Sequence, residues 1–130
     1  MMGELGYAAI FCLLIANGQT EAEHGFSAGY DLHKIRIDCE TEDSVIEVGL
    51  DKRSSLDSIQ QALFAAYLTG KKPVVMIVDT DGRTGAYETR IEAAAKMAGV
   101  EFLSYHAQFL VRWQMTSWLR SYLHSKGPDS

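Results

Sequence analysis

Leu32-His33-Lys34-Ile35-Arg36-Ile37-Asp38-Cys39 alternates apolar and charged side chains, and Val45-Ile46-Glu47-Val48-Gly49-Leu50 follows across the polar turn Glu40-Thr41-Glu42-Asp43. Period-two alternation marks a strand with two unlike faces, so the pair reads as a β-hairpin. Ile35, Ile37 and Cys39 are expected on one face, with Lys34, Arg36 and Asp38 on the other. On the return arm Ile46, Val48 and Leu50 oppose Val45, Glu47 and Gly49. A face-preserving register puts Asp38 and Glu47 on one side of the sheet, their Cβ atoms ~4.5–8 Å apart. Two carboxylates at that distance can share one divalent cation, and Lys34 and Arg36 stand beside them. The plain alternative is a solvated ladder of exposed ion pairs through the same four residues.

Working outward, Ser54-Ser55-Leu56-Asp57 is a helix start, with hydroxyls able to cap and Asp57 near the positive dipole end. Leu56, Ile59, Leu63, Ala66 and Tyr67 form its apolar stripe, and Gly70 stops it. Pro73 to Val78 is an unbroken apolar run suited to a strand buried on both faces. Ala86 to Ala98 is helical, with Tyr87, Ile91, Ala94, Ala95 and Ala98 on one side and Gly99 as its stop. Val100 to Tyr105 reads as a short strand, and residues 107–124 as one final helix. The expected order is α-β-β-α-β-α-β-α, a three-layer α/β/α fold with a mixed sheet.

The chain has 130 residues, 47% hydrophobic and 22% charged, with two prolines and eleven glycines. That suits one domain with a single sizeable core and excludes a linker-rich or disordered chain. Twelve basic against 17 acidic residues leave a net charge of -5, so binding of phosphate backbones would need a local basic patch. Cys12 and Cys39 are too few and too distant to read as a disulfide framework or zinc site, and each is expected as a buried thiol.

Tyr7 to Ala16 is an apolar run of ten, the length of a signal-peptide core and far short of a membrane span. Residues 1–6 hold Glu4 and no Lys or Arg, and Thr20-Glu21-Ala22 is a poor cleavage site. A retained helix over residues 4–24, packed through Leu5, Ala9, Cys12 and Leu13, is therefore expected, with a cytoplasmic location. Cleavage near residue 22 and export is the alternative. Residues 125–130 are expected as a flexible tail.

Asp38 on one strand, Glu47-Val48-Gly49 on the next and then a helix with Gln60 and Gln61 resemble the PD-(D/E)xK superfamily of nucleases. The resemblance covers roughly residues 20–80 and rests more on element order than on letters. It implies a restriction-endonuclease-like core and hydrolysis of DNA phosphodiesters with Mg²⁺ or Mn²⁺. Asp38 and Glu47 would be the metal ligands, with Glu21 or Glu23 on the first helix as accessory acid. Gln61 or Gln60 would orient substrate or water. Two departures stand out: no Pro precedes Asp38, and Gly49 occupies the place of the family's lysine. Lys52 or Lys34 is the expected substitute as charge stabiliser. Carboxylates with a nearby cation are what such chemistry needs, because hard oxygens hold the metal and the cation steadies developing negative charge.

Other motifs carry less. Asp79-Thr80-Asp81-Gly82 resembles a phosphatase nucleophile loop and part of a calcium loop, but an Asp- and Gly-rich turn explains it. Glu88 and Glu92 read as helix-surface positions, and His24, His33, His106 and His124 lack ligand spacing. The last helix bears Phe109, Leu110, Trp113, Met115, Trp118, Leu119, Tyr122 and Leu123, more than one core stripe needs. It supports a second reading: a non-catalytic α/β interaction domain that docks or homodimerises through Trp113, Trp118, Arg112 and Arg120.

Overall fold

The computed structural model describes residues 3–126. The hairpin expected at its centre is present as β2 (Asp31–Glu40) and β3 (Ser44–Leu50), the middle of a five-stranded open mixed sheet. The other strands are β1 (Gln19–Ala28), β4 (Lys72–Asp79) and β5 (Glu101–His106), in spatial order β1-β2-β3-β4-β5. The pairs β1–β2 and β2–β3 are antiparallel, whereas β3–β4 and β4–β5 are parallel. Five α-helices accompany the sheet: α1 (Glu4–Ile10), α2 (Ser58–Thr69), α3 (Ala86–Ala98), α4 (Ala107–Met115) and α5 (Ser117–Lys126).

Parallel strands need long crossovers, and α2 and α3 supply them between β3, β4 and β5. They bury Ala62, Ile91 and Ala95 against Val75, Ile77 and Val100, while Ala65 packs with Ile37 and Val45. The opposite residues of the same strands, Ile46, Val48, Val74, Met76 and Val78, pack with Tyr7, Ile10 and Phe11 of the amino-terminal segment and with Leu110 of α4. Strands covered on both sides explain the unbroken apolar run of β4.

Several expectations give way. The helix expected over residues 4–24 ends early: α1 continues into a π-helical turn, Phe11–Ala16, which Asn17 closes at φ 57°. Residues 19–28 are strand, paired with β2 from Gln19↔Glu40 to Ala28↔Asp31. The overlooked signal is Gly29, whose φ of 62° suits the tight turn between β1 and β2. The observed order is thus α-β-β-β-α-β-α-β-α-α. The last helix is two, parted at Thr116, whose hydroxyl donates to Arg112 O at 2.9 Å. Helix α5 reaches Lys126, so the expected tail begins no earlier than residue 127, and residues 127–130 lie outside the described residues.

Side-chain phases shift too. On α2 the inward residues are Ala62 and Ala65, while Leu63 is 40% and Tyr67 81% exposed. Leu56, Ile59 and Ala66 of the expected stripe do pack inward, partly buried beside Ala62 and Ala65. On α3, Ala94 and Ala98 are exposed and Glu88 is buried, accepting Ser104 Oγ–H at 2.6 Å. His24 also has a partner: its Nε2 lies 2.6 Å from Glu40 Oε1, and Lys71 Nζ donates to Glu40 Oε2 at 2.7 Å. Burial alone would raise the Glu40 pKa, but these two bonds outweigh it and hold the pKa low.

Cys12 and Cys39 are not separate thiols. They form a fully buried disulfide, with Cα atoms 5.5 Å apart, tying the π-helical turn to β2. Gly18 is fitted against it: a Cβ there would lie 2.9 Å from Cys39 Sγ and 2.8 Å from Glu40 O. The bridge closes a loop with a sequence separation of 27. Loop-closure entropy then makes it worth about 3.5 kcal/mol. Urea unfolding with and without reductant should show a loss of that order, and Cys12→Ala with Cys39→Ala should match the reduced protein. Equal midpoints in all three would mean that the bridge does not contribute to stability.

Candidate metal centre

The hairpin's alternation breaks at one place, and the break builds the pocket. Ile35 and Ile37 pack toward Val45, Ala65 and Ala66, whereas Cys39 packs on the other face with Cys12 and Ile46. The expected common face for these three residues therefore fails between Ile37 and Cys39. Across the ladder, Glu21 adopts φ 53° between the pairs Thr20↔Cys39 and Ala22↔Ile37. A non-glycine side chain at positive φ costs about 1–3 kcal/mol, and an unpaired residue of this kind in a ladder bends its strand.

On its other edge β2 pairs with β3 through Cys39↔Ile46 and Glu40↔Val45. One residue further that register sets Asp38 opposite Glu47, where a side chain takes over from the backbone. Val48 N–H donates to Asp38 Oδ2 at 2.8 Å. The carboxylate thus satisfies a strand donor while β2 turns away from β3.

The opening is a pocket of about 420 Å³ lined by Glu4, Ile35, Arg36, Asp38, Glu47, Gln60, Gln61 and Phe64. Glu47 is only 5% exposed. Burial, the charge of Asp38, a hydrogen bond shared with Asp38 and the charge of Glu4 push its pKa up to about 9. Glu4, in the first turn of α1, is raised by burial and then by Asp38. Glu47 holds a proton at neutral pH, and that proton relieves its repulsion with the neighbouring carboxylates.

The structure brings Asp38, Glu47, Gln60 and Gln61 together, as expected, and leaves the other candidates apart. Glu21 and Glu23 are on β1, not on a helix. Glu21 is 3.8 Å from Arg36 Nη1, and it lines a smaller recess that also touches Asp38. Glu23 lies 3.4 Å from Lys34 Nζ, a pair that is largely exposed. Neither Lys34 nor Lys52 lines the pocket; its cation is Arg36. The acid that sequence reading missed is Glu4, whose only signal was an acidic residue opening the first helix.

Gly49 cannot carry the lysine the resemblance calls for. A Cβ there would meet Ser55 Oγ at 2.4 Å and Ser55 Cβ at 2.7 Å, so the 3₁₀ turn Arg53–Ser55 occupies that space.

Glu4, Asp38 and Glu47 do not close within 4.8 Å as a trio; among the described residues Asp51, Asp79 and Asp81 do. Those three are already used in the turn. Asp79 Oδ1 accepts from Asp81 and Gly82 N–H at 3.1 and 2.8 Å, and Asp51 accepts from Thr80 N–H and Oγ1–H at 3.0 and 2.7 Å. Burial opposes ionisation of Asp51, but the Thr80 bonds prevail and lower its pKa. The turn explanation given for this stretch fits these bonds.

No family model matches the chain, and no curated protein or solved structure matches it significantly.

Because Glu47 is raised from 4.5 to about 9, the folded state holds a proton that the unfolded chain releases across that window. Its stabilisation is complete below 4.5, falls as pH rises and is gone above about 9. Melting at pH 6 to 9 should show stability dropping by at most ~1.4 kcal/mol per pH unit from this group. Glu47→Gln, which keeps the neutral shape, should flatten the slope. A slope equal in the variant would place the titrating proton elsewhere.

Proposed function

We propose that this chain is a metal-dependent phosphodiesterase of the PD-(D/E)xK kind, acting on DNA with Mg²⁺ or Mn²⁺. One observation carries the reading: Glu4 from the first helix, Asp38 and Glu47 from the hairpin, and Gln60 and Gln61 from the following helix line a single pocket. Helices against opposite faces of the strands, with the hairpin between α1 and α2, support the three-layer, restriction-endonuclease-like core.

The donor set fits the ion. Carboxylate oxygens are the hard ligands Mg²⁺ and Mn²⁺ favour, and a buried acid kept neutral by its neighbours is a site a cation would complete. Asp38 and Glu47 would hold it, with Glu4 as accessory in place of Glu21 or Glu23. When bound, the ion supplies Lewis acidity and lowers the pKa of water. To hold the ion Glu47 would have to be ionised, so metal binding and activity are expected to rise with pH. Arg36 replaces Lys52 and Lys34 as the charge stabiliser, and being always protonated it donates charge and hydrogen bonds but no proton. The Gln60 and Gln61 amides orient phosphate or water, and Phe64 walls the pocket.

Glu4 lies on the segment whose retention was expected, and the Cys12–Cys39 bridge binds that segment to β2. No described helix is long and apolar enough to cross a membrane. Disulfides persist mainly in oxidising compartments, so the Cys12–Cys39 bridge weighs against the expected cytoplasmic location. Intact mass of the native protein, taken with and without thiol alkylation, reads both cleavage and compartment.

A second reading, the interaction domain, is favoured by the exposure of Met115 (67%), Trp118 (67%) and Leu123 (58%) on the last two helices. Two of its expected anchors are engaged internally. The Arg120 guanidinium lies 3.6 Å from the Trp113 ring centroid, and Trp113 Nε1–H donates to Leu14 O at 3.2 Å. Trp118 and Arg112 remain as anchors for a protein partner or a second copy.

Incubation with plasmid and oligonucleotide DNA plus Mn²⁺ separates the two readings. The expected result is cleavage that Asp38→Ala and Glu47→Ala abolish, that Arg36→Ala lowers by about 100-fold, and that Lys52→Ala leaves unchanged. Mn²⁺ should also raise the melting temperature of wild type and raise it less in Glu47→Gln. Cleavage surviving both acid variants, or none under any condition, overturns the enzyme reading.

A further inference from the structure

An aromatic row leads away from the carboxylate pocket. Phe64, which lines the pocket, has its ring centroid 4.9 Å from Phe26 edge-on and 6.2 Å from Tyr67, with the Tyr67 plane only 19° off parallel. Phe26 in turn stacks on His33 at 5.5 Å. Gln60, Phe64 and Tyr67 fall at i, i+4 and i+7 on α2, so the row climbs one helix face outward from the pocket. Tyr67 ends it at 81% exposure. Lys34 and Arg36 stand on the neighbouring strand β2.

We infer that this row is a stacking track for a single-stranded nucleic acid, whose bases rest on Tyr67 while its backbone reaches the pocket. The inference rests on the phosphodiesterase reading and adds the form of the substrate to it. Charge decides between strand and duplex. Duplex DNA carries one negative charge per ~1.7 Å and is gripped by rows of cations. Here the nearby cations are Lys34 and Arg36, each facing a glutamate, on a chain of net charge -5. Stacking lessens that demand without removing it: each base–aromatic contact adds about 5- to 100-fold in affinity, so a single strand can be held with fewer cations, and a paired base in a duplex cannot offer its π-face to a side chain. A single strand is therefore the occupant this surface can hold. With two cations in play, the log affinity against log salt has a slope of only about -1.4.

Fluorescence anisotropy of a short labelled oligothymidine and of a blunt duplex, in Ca²⁺ with the full chain, tests this. The expected result is tighter binding of the oligothymidine, loss of about 5- to 100-fold in Tyr67→Ala, and retention in Tyr67→Trp. Leu63→Ala, on the same helix outside the row, should bind as wild type, and the melting temperature of Tyr67→Ala should be unchanged. Duplex bound as tightly as single strand, no binding of either, or wild-type affinity in Tyr67→Ala would each overturn the inference. The two proposals fail separately. Metal-dependent cleavage indifferent to Tyr67 removes the track and keeps the enzyme; Tyr67-dependent binding without cleavage removes the enzyme and keeps the track.

Discussion

A carboxylate standing in for a strand is the constraint on which the pocket depends. Asp38 accepts the Val48 N–H that a neighbouring strand would otherwise take, and β2 is then free to leave β3. An unpaired buried N–H would cost roughly 1–3 kcal/mol, so the departure is tolerable only because this side chain covers it. The gap exposes one face of Glu47 to a pocket while leaving the residue almost wholly buried. Had the ladder run on, Asp38 and Glu47 would be ordinary cross-strand neighbours on a continuous face.

Holding β2 in that path takes covalent and ionic restraints on both sides of the break. The Cys12–Cys39 bridge fixes the residue next to Asp38, and Glu40, one further on, gathers His24 and Lys71. Glu21 at positive φ bends β1 to match. The bridge has a second consequence: it anchors the segment that begins with Glu4, so the third acid arrives from the far end of the amino-terminal helix.

The acids themselves are unfavourable. Desolvation and mutual repulsion raise both Glu4 and Glu47, and a proton on Glu47 is how the pocket accommodates them. Stability is given up at this spot. The packing of Ser55 on Gly49 removes the lysine position from the same strand, and Arg36 on β2 is left as the cation in reach.

The sequence alone determined the elements whose signals are local. The alternation of residues 45–50, the apolar run before Asp79, the helix over 86–98 and the nearness of Asp38 and Glu47 across a short turn all follow from side-chain period and turn chemistry. Strand β1 went unseen because its polar residues mimic the end of a helix and its partner lies beyond a single glycine turn. Only the tertiary structure decided that Cys12 meets Cys39, that Glu4 rather than Glu21 reaches the pocket, and that Arg36 rather than Lys34 or Lys52 lines it. The reason is physical: period and propensity act over a few residues. A change of strand partner at one carboxylate, by contrast, redirects every side chain beyond it, and that change appears only when three distant segments are packed together.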